Sequence, residues 1–398
     1  MRLLCLLTAV LHLLAFADCS DQIPLRQTQT TRRHVSPQLY ADLEELSRIV
    51  DISYCVGTAN TGISKPFNCL SRCSAFPSFE LVTTWNSGPL FTDSCGYIAL
   101  SHAPAAPRII VAFRGTYSIA NTVLDLATVP QEYLPYPASN GSAEDAPKCE
   151  NCTVHLGFFR SWTAAQEIVF PHVQSLRLTY PDYKITLVGH SLGGAVAALA
   201  GLEFVNQGWN TTVTTFGEPR IGNAALADYL DRRFGSGDLD SNNSSMPTYR
   251  RVTHRNDPVP LLPPTEWGYV PHAGEIFINK TSLPHDIFDL VRCDGDTDPE
   301  CSAGQDSSVT AALAYATEED LQSQHLPAAA FLARTGFGLP IRYRLWQLLF
   351  AHRDYFWRLG VCLPELWPPC SGLILYSRGD QKVFSYERCF CPIRVVGE

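Results

Sequence analysis

The spacing of apolar residues predicts a helix near the start of the chain and a series of strands after it. Ser36 and Pro37 carry the signals of a helix start, because serine caps helices and proline is tolerated in the first turn. Leu39, Leu43 and Leu46 then fall on one face at helical spacing. Short runs of apolar and β-branched residues predict strands at 79–85, 96–100, 108–113, 185–188, 212–216, 248–253 and 275–278.

Between residues 151 and 218 the pattern changes from helix to strand with each element. A helical stretch at 157–178 precedes the apolar strand 185–188, and a helix of small residues follows Ser191 before the strand 212–216 begins. Helices that alternate with apolar strands are typical of a parallel sheet with helices on both faces. The sequence therefore predicts an α/β fold with a mostly parallel central sheet.

The turn between the strand 185–188 and the next helix contains the motif Gly-His-Ser-Leu-Gly at 189–193. A glycine-rich turn of this kind can also have the purely structural role of packing a helix on a strand. The neighbouring elements therefore have to distinguish a structural turn from a catalytic one. The apolar strand before the motif and the small-residue helix after it make the strand-turn-helix of a nucleophile elbow. Ser191 is therefore predicted to be a nucleophile at a helix N-terminus, where the helix dipole favours a developing oxyanion.

In hydrolases with such an elbow, the acid follows the nucleophile along the chain and the histidine comes last. Asp257 lies in the loop that leaves the strand 248–253, which predicts that it orients the imidazole. An aspartate before proline can also be a simple turn residue. The pattern leaves the histidine open between His352 and, as second choice, His272. The histidines that follow Asp257 are His272, His285, His325 and His352.

An oxyanion hole in this arrangement combines the N–H group after the nucleophile with one from a loop that follows an earlier strand. The first group is that of Leu192. The strongly apolar strand 108–113 ends in Arg-Gly-Thr, so Thr116 is the candidate for the second. The same Gly-Thr pair could also be an ordinary turn.

Charge and composition narrow the range of partners. A net charge of -9 without a basic stripe argues against nucleic acid. With 45% hydrophobic and 17% charged residues, the 398-residue chain can bury a substantial core. Acyl transfer by serine, histidine and aspartate uses neither a metal nor an organic cofactor, so neither is predicted.

The first residues have the pattern of a secretory signal peptide. Arg2 precedes the apolar run 3–16, and Ala-Phe-Ala at 15–17 provides a cleavage pattern of small residues. The run is short for a membrane span, which needs roughly 20 apolar residues. The 14 cysteines agree with export, because disulfides persist outside the cytosol. We therefore expect a secreted protein, with residues 1–17 as the signal peptide and 18–35 as a leader.

Several motifs, taken together in their order along the chain, resemble those of the fungal class 3 lipases, which are α/β-hydrolases. The resemblance runs from about residue 36 to Cys362. The motifs are Phe-Arg-Gly-Thr at 113–116, Val-His-Leu-Gly-Phe at 154–158, Gly-His-Ser-Leu-Gly-Gly at 189–194, Phe-Gly-Glu-Pro-Arg-Ile-Gly-Asn at 216–223, Asn-Asp-Pro-Val-Pro at 256–260 and His-Arg-Asp-Tyr-Phe at 352–356.

This resemblance implies an α/β-hydrolase fold, with a lipase domain at 36–362 and a cysteine-containing extension at 363–398. It selects His352 as the histidine of the triad, because this residue opens the last of the motifs. It also implies disulfides. The implied pairs are Cys55 with Cys362, Cys69 with Cys73, and Cys149 with Cys152.

The segment 118–126 resembles the lid of these lipases, although Thr122 stands where members of the family often carry tryptophan. Its apolar side could cover the site in water and dock on lipid, or could belong to the core. The residues concerned are Ile119, Val123, Leu124 and Leu126.

The function predicted from these features is that of a secreted triacylglycerol lipase, which forms an acyl-enzyme on Ser191. The expected partner is a lipid–water interface or an ester substrate, and we expect a monomer without stable transmembrane insertion. Two alternatives stay open. A feruloyl or related cell-wall esterase shares the family fold, and a catalytically inactive hydrolase-like protein would only bind a ligand.

Overall fold

The structure, a computed structural model, describes residues 33–57, 62–88, 94–116, 130–133, 149–236, 248–305, 350–363, 375–378 and 381–384. The predicted signal peptide, most of the leader and the predicted lid residues Ile119, Val123, Leu124 and Leu126 lie outside these ranges. The candidate histidine His325 lies outside them as well. The chain divides into two compact units, Met1–Cys362 and Leu363–Glu398.

Strands of the first unit form a central sheet and two separate two-stranded ribbons. In chain order the strands are β1 Phe79–Asn86, β2 Cys95–Ser101, β3 Arg108–Phe113, β4 Pro130–Glu132, β5 Thr153–His155, β6 Lys184–His190, β7 Thr211–Phe216, β8 Tyr249–His254, β9 Glu275–Ile278, β10 Leu290–Arg292, β11 Asp354–Tyr355 and β12 Trp357–Arg358. The sheet has the order β1-β2-β3-β6-β7-β8-β9-β10, while β4 pairs with β5 and β11 pairs with β12.

The middle of the sheet is parallel, from β3 through β6, β7 and β8 to β9, while β1, β2 and β10 run antiparallel at the edges. The register places Phe113 beside Gly189, and His190 beside Phe216. Phe216 in turn pairs with Val252. The carboxyl ends of four neighbouring strands therefore meet at one edge of the sheet, where parallel α/β sheets place their ligand sites.

Helices cover both faces of this sheet. They are α1 Pro37–Ile52, α2 Leu156–Thr179, α3 Leu192–Asn206 and α4 Ala224–Phe234. Alternate residues of β3 enter different cores, since Ile109 and Val111 pack with α2 and α3, whereas Ile110 packs with α1. Burial on both faces explains why β3 is apolar without interruption from Ile109 to Phe113. The α/β-hydrolase fold predicted from the sequence is confirmed.

Local signals in the sequence account for the helix boundaries. Ser36 accepts a hydrogen bond from the N–H of Leu39, as its capping role predicts. Asn223 caps α4 in the same way, and Gly235 ends that helix with a positive φ of 64°. The bounds of each predicted strand differ by at most two residues from those of an observed strand. The agreement arises because the apolar run in the sequence and the backbone hydrogen bonds of the strand end at nearly the same residue.

The structure contains the three disulfide bonds implied by the resemblance, which confirms them. It also contains a fourth disulfide bond, between cysteines that the sequence left unassigned. Cys55 binds Cys362 across 307 residues, whereas Cys69–Cys73 and Cys149–Cys152 are local. The additional bond joins Cys293 to Cys301.

In the second unit, the strands β13 Leu375–Arg378 and β14 Gln381–Phe384 form an antiparallel hairpin. None of the helices in the described ranges has the length and apolar character that a membrane crossing requires.

Candidate active site

Ser191 occupies a strained turn between β6 and α3. Its φ of 58° and ψ of -131° lie outside the regions that L-residues ordinarily adopt. The turn needs glycine on both sides, because a Cβ at Gly189 would lie 2.1 Å from the carbonyl oxygen of Gly193, and one at Gly193 would lie 2.4 Å from that of Phe113. The Ser191 N–H donates to the carbonyl of Phe216 at 2.9 Å, which ties the elbow to β7. Backbone strain of this kind is typical of functional sites.

Asp257 and His352 form a buried pair. The His352 Nδ1 lies 2.9 Å from each carboxylate oxygen of Asp257, and the exposed fraction of both side chains is 0%. The carboxylate also accepts hydrogen bonds from the Tyr355 hydroxyl and from the Val259 N–H. Burial alone would raise the pKa of Asp257, but His352 and these hydrogen bonds outweigh it and hold the pKa below its ordinary value. Asp257 is therefore an anion that fixes the proton of His352 on Nδ1.

The elbow and the Asp257–His352 pair meet beside Gly217, which follows β7. Gly217 has a positive φ of 61°, and a Cβ there would lie 2.8 Å from the His352 Cε1 and 3.0 Å from Asp257 Oδ2. The described residues offer no hydrogen-bond partner to Ser191 Oγ or to His352 Nε2, although both atoms are buried. Such atoms are free to bind a reacting group, and catalytic hydrogen bonds often tighten only when a substrate is bound.

Thr116 and Leu192 come from two segments that meet beside Ser191. Leu192 is the first residue of α3, so its N–H belongs to the helical turn whose N–H groups have no acceptor within the helix. Thr116 is the third residue after β3, and a Cβ on the neighbouring Gly115 would lie 2.8 Å from the Ser191 Cβ. The two predicted oxyanion donors thus lie on segments adjacent to the nucleophile.

The other described histidines after Asp257 have different partners. The His272 Nε2 lies 3.0 Å from the buried carboxylate of Glu218, and its carbonyl accepts from Arg251. Burial lowers the pKa of His272, but Glu218 outweighs it and the pKa lies above its ordinary value. His285 accepts a hydrogen bond from the Phe356 N–H. The second choice for the triad histidine, His272, is therefore part of a separate buried network.

Two residues around the site were not predicted from the sequence. Tyr355 binds Asp257, and Tyr54 reaches His190 from the end of α1. Nothing local distinguishes either tyrosine from others in the chain, because the contact depends on which segments the fold brings together. The proximity of Tyr355 to His352 in the last motif was the signal that could have suggested it.

A group with the residue types of a metal site lies elsewhere in the described part of the chain. It consists of Glu275, Cys293 and Cys301. Its two cysteines are bonded to each other, so they lack the thiolates that metal ions bind. This cluster is a disulfide beside a carboxylate, and Glu275 itself accepts from Thr253 at 2.5 Å.

Comparison with known sequences places this geometry in a family. Residues 110–267, which include Thr116, Ser191 and Asp257, match the family model described as lipase (class 3). A Gibberella zeae protein named secreted mono- and diacylglycerol lipase 2 is 52% identical over 348 residues, which cover 83% of each chain. Lipase A of Sodiomyces alcalophilus is 48% identical and covers 90% of this chain and 92% of its own length.

Solved structures agree with the sequence comparison. The Lip2 lipase of Yarrowia lipolytica superimposes with a TM-score of 0.66 at 31% identity, covering 83% of this chain and 97% of that one. A lipase of Rhizopus microsporus var. chinensis gives a TM-score of 0.53 at 28% identity over 69% of this chain and 84% of its own. With an elbow in a parallel sheet, a matching family model and a relative more than half identical over most of both chains, this protein belongs to the class 3 lipases.

Proposed function

We propose that this protein is a secreted lipase that hydrolyses acylglycerols through an acyl-enzyme on Ser191. The observation that carries the proposal is the buried Asp257–His352 pair beside a strained serine elbow. A buried carboxylate, an imidazole with one free ring nitrogen and a serine at a helix N-terminus are the parts that acyl transfer requires. Membership of the class 3 lipases supports an ester as the substrate.

Acylation begins when His352 Nε2 takes the proton of the Ser191 hydroxyl as the oxygen attacks the ester carbonyl. The N–H groups of Thr116 and Leu192 stabilise the oxyanion, which is worth about 3 to 4 kcal/mol per donor in other serine hydrolases. Asp257 holds the imidazole in the required tautomer and stabilises the imidazolium that forms. His352 then gives its proton to the departing alcohol, and the acyl group stays on Ser191.

Deacylation repeats these steps with water in place of the alcohol. His352 removes a proton from water, the hydroxide oxygen attacks the acyl-enzyme, and the proton passes to Ser191 Oγ as the fatty acid leaves. The cycle consumes one water per ester and calls for neither a metal nor an organic cofactor.

The relatives and the predicted lid support acylglycerols as the substrate class. The Gibberella zeae relative is named a mono- and diacylglycerol lipase, so partial glycerides belong among the substrates of this chain beside the triacylglycerols expected from the sequence. The apolar residues of the segment 118–126 suit a surface that docks on lipid. A signal-like N-terminus, disulfides and relatives named as secreted support export, and we expect a monomer.

The experiment measures hydrolysis of a short-chain triglyceride below and above its solubility limit, with Ser191→Ala as control. We expect the rate to rise once droplets form and to fall at least about 10⁴-fold in the variant. A rate that saturates with dissolved ester would instead indicate an esterase. Absence of hydrolysis in both regimes would refute the proposal and direct attention to cell-wall esters or to ligand binding without catalysis.

A second assay compares mono-, di- and triacylglycerols that carry the same acyl chain. Equal or higher kcat/KM on the partial glycerides supports the proposed substrate range. Hydrolysis of the triacylglycerol alone would contradict the part of the proposal that rests on the Gibberella zeae relative.

A further inference from the structure

His190 is a buried histidine that the mechanism does not use, although it precedes Ser191 in the elbow. Its exposed fraction is 2%. The Nδ1 atom lies 2.5 Å from the hydroxyl of Tyr54, and the Nε2 atom lies 2.7 Å from the main-chain carbonyl of His352. The two imidazoles lie close together, with ring centroids 4.7 Å apart. His190 therefore touches the segment that carries the histidine of the Asp257–His352 pair.

The partners of His190 determine its tautomer. A carbonyl oxygen can only accept, so Nε2 must carry a proton and donate it to His352. Nδ1 is then the acceptor, and the hydroxyl of Tyr54 is its donor. Burial, together with the proximity of His352, lowers the pKa of His190 to about 3. The neutral imidazole thus keeps both hydrogen bonds over the pH range in which an exposed histidine would change its charge.

Tyr54 extends this chain of contacts to a third segment. It lies in the short 3-10 helix Ser53–Cys55 after α1, and its hydroxyl accepts from the N–H of Gly115. A Cβ at Gly115 would lie 2.6 Å from this hydroxyl and 2.7 Å from the carbonyl oxygen of His190. Hydrogen bonds thereby run in a chain from Gly115 through Tyr54 and His190 to His352. This chain joins the segment after β3, the segment after α1, the elbow and the segment that carries His352.

We propose that Tyr54 and His190 are positioning residues that hold the His352 main chain at a fixed place relative to Ser191 and Thr116. The inference rests on the roles assigned above to Ser191, Thr116 and His352. The hydrogen-bonding atoms of Tyr54 and His190 have protein partners, so the pair acts through the residues it holds. Reacting groups must keep their geometry closely, because small displacements lower the rate strongly.

The first test replaces Tyr54 by Phe and compares it with Tyr97→Phe. Tyr97 is a matched control, since it is fully buried on β2 and its hydroxyl donates at 2.8 Å to the carbonyl of Ile49 in α1. We expect Tyr54→Phe to lower kcat about tenfold while KM changes less than twofold, as positioning predicts. Tyr97→Phe should lower the melting temperature by a similar amount and leave kcat unchanged.

The second test replaces His190 by Gln and by Met, which are similar in length. The amide of Gln can still donate to the His352 carbonyl, whereas the thioether of Met cannot. We expect His190→Met to lower kcat at least about 30-fold, and His190→Gln to recover most of that loss. The rate at which a fluorophosphonate labels Ser191 should fall in parallel with kcat, because that probe reports the geometry of the nucleophile without a lipid.

The outcomes separate this inference from the proposed function. If Ser191→Ala keeps its activity, the proposed function fails, whatever the other variants do. If Ser191→Ala is inactive but Tyr54→Phe behaves as Tyr97→Phe does, or His190→Gln is no better than His190→Met, the positioning role is overturned alone. Circular dichroism of each variant shows whether it is folded, and the Tyr54→Phe comparison decides the question if both His190 variants unfold.

Discussion

Gly217 shows how a single hydrogen atom in place of a side chain makes room for the site. Its φ of 61° favours glycine, and the space where a Cβ would stand is bounded by His352 and Asp257. Gly235 has nearly the same backbone, with a φ of 64°, but nothing lies within 4 Å of its Cβ position. Alanine variants at these two glycines therefore distinguish two effects. Both variants would strain the backbone, but only the one at Gly217 would displace the imidazole of His352.

Gly217→Ala should lose activity, whereas Gly235→Ala should not. Both variants place a Cβ at positive φ, which we expect to lower the free energy of unfolding by about 1 kcal/mol. Only Gly217→Ala pushes on the His352 ring, so kcat should fall at least about 100-fold in that variant alone. Steady-state kinetics and urea unfolding of both variants check this, and equal kcat values would contradict it.

Tyr355 acts on the carboxylate rather than on the imidazole. Its fully buried hydroxyl donates to Asp257, and this bond is among those that lower the pKa of the acid. A hydrogen bond to a charged group is worth about 1.5 to 3 kcal/mol. The tyrosine therefore contributes to both the charge and the orientation of Asp257.

Tyr355→Phe should lower kcat about tenfold, because Asp257 then orients His352 less firmly. The matched control is Tyr249→Phe, which removes another buried hydroxyl that donates to a carboxylate, that of Glu218, at 2.7 Å. We expect both variants to be destabilised and only Tyr355→Phe to turn over more slowly. Similar kcat values in the two variants would mean that Tyr355 serves stability alone.

At the scale of elements, a buried acid joins α2 to α3. Glu203 of α3 accepts from the indole N–H of Trp162 at 2.8 Å and from the amide of Gln166, both in α2. Burial raises the pKa of Glu203 to about 7, although these two hydrogen bonds act in the opposite direction. The folded state therefore favours the protonated acid. Its contribution to stability is complete below the ordinary pKa of 4.5 and is lost as the pH rises through about 7.

Glu203→Gln should make the protein more stable than the wild type at pH 8.5, because the amide stays neutral where the carboxylate is charged. At pH 5 the advantage should disappear, since the wild-type side chain is then protonated in the folded state. Thermal melting at the two pH values measures the difference. Glu167→Gln, an exposed change in α2, is the control that should show no such dependence. A pH-independent effect of Glu203→Gln would refute this interpretation.

For the molecule as a whole, the bond between Cys55 and Cys362 closes nearly the entire first unit. It joins residues 307 positions apart and follows Tyr54 directly. Cross-linking distant residues restricts the unfolded chain most, whereas the Cys69–Cys73 bond spans only 4 residues. The long-range bond therefore holds the end of α1 against the segment that follows His352.

Replacing Cys55 and Cys362 together by Ser should lower the free energy of unfolding by about 3 to 5 kcal/mol, against about 2 kcal/mol or less for the Cys69–Cys73 pair. Urea unfolding of the two double variants measures both values. Equal losses would show that native contacts, rather than the unfolded chain, determine the effect of the long-range bond.

Local sequence determined the elements and the chemistry of the nucleophile. The capping residues, the apolar strands and the glycines around Ser191 act over a few residues, so their outcome follows from neighbours along the chain. The family motifs added three of the four disulfide pairs found among the described residues. Asp257 could be proposed from its place after β8, because that loop ends at the same edge of the sheet as the elbow.

Beyond what the family motifs implied, only the tertiary structure decided which distant groups meet. Local pattern could not choose between His272 and His352, since each contact depends on where a loop returns to the sheet, and the fold pairs the first with Glu218 and the second with Asp257. His190 and Tyr54 are 136 positions apart, and their hydrogen bond likewise depends on how the fold brings distant segments together. Short-range preferences act through backbone sterics and periodicity, whereas contacts across the sheet are selected by packing of the whole core.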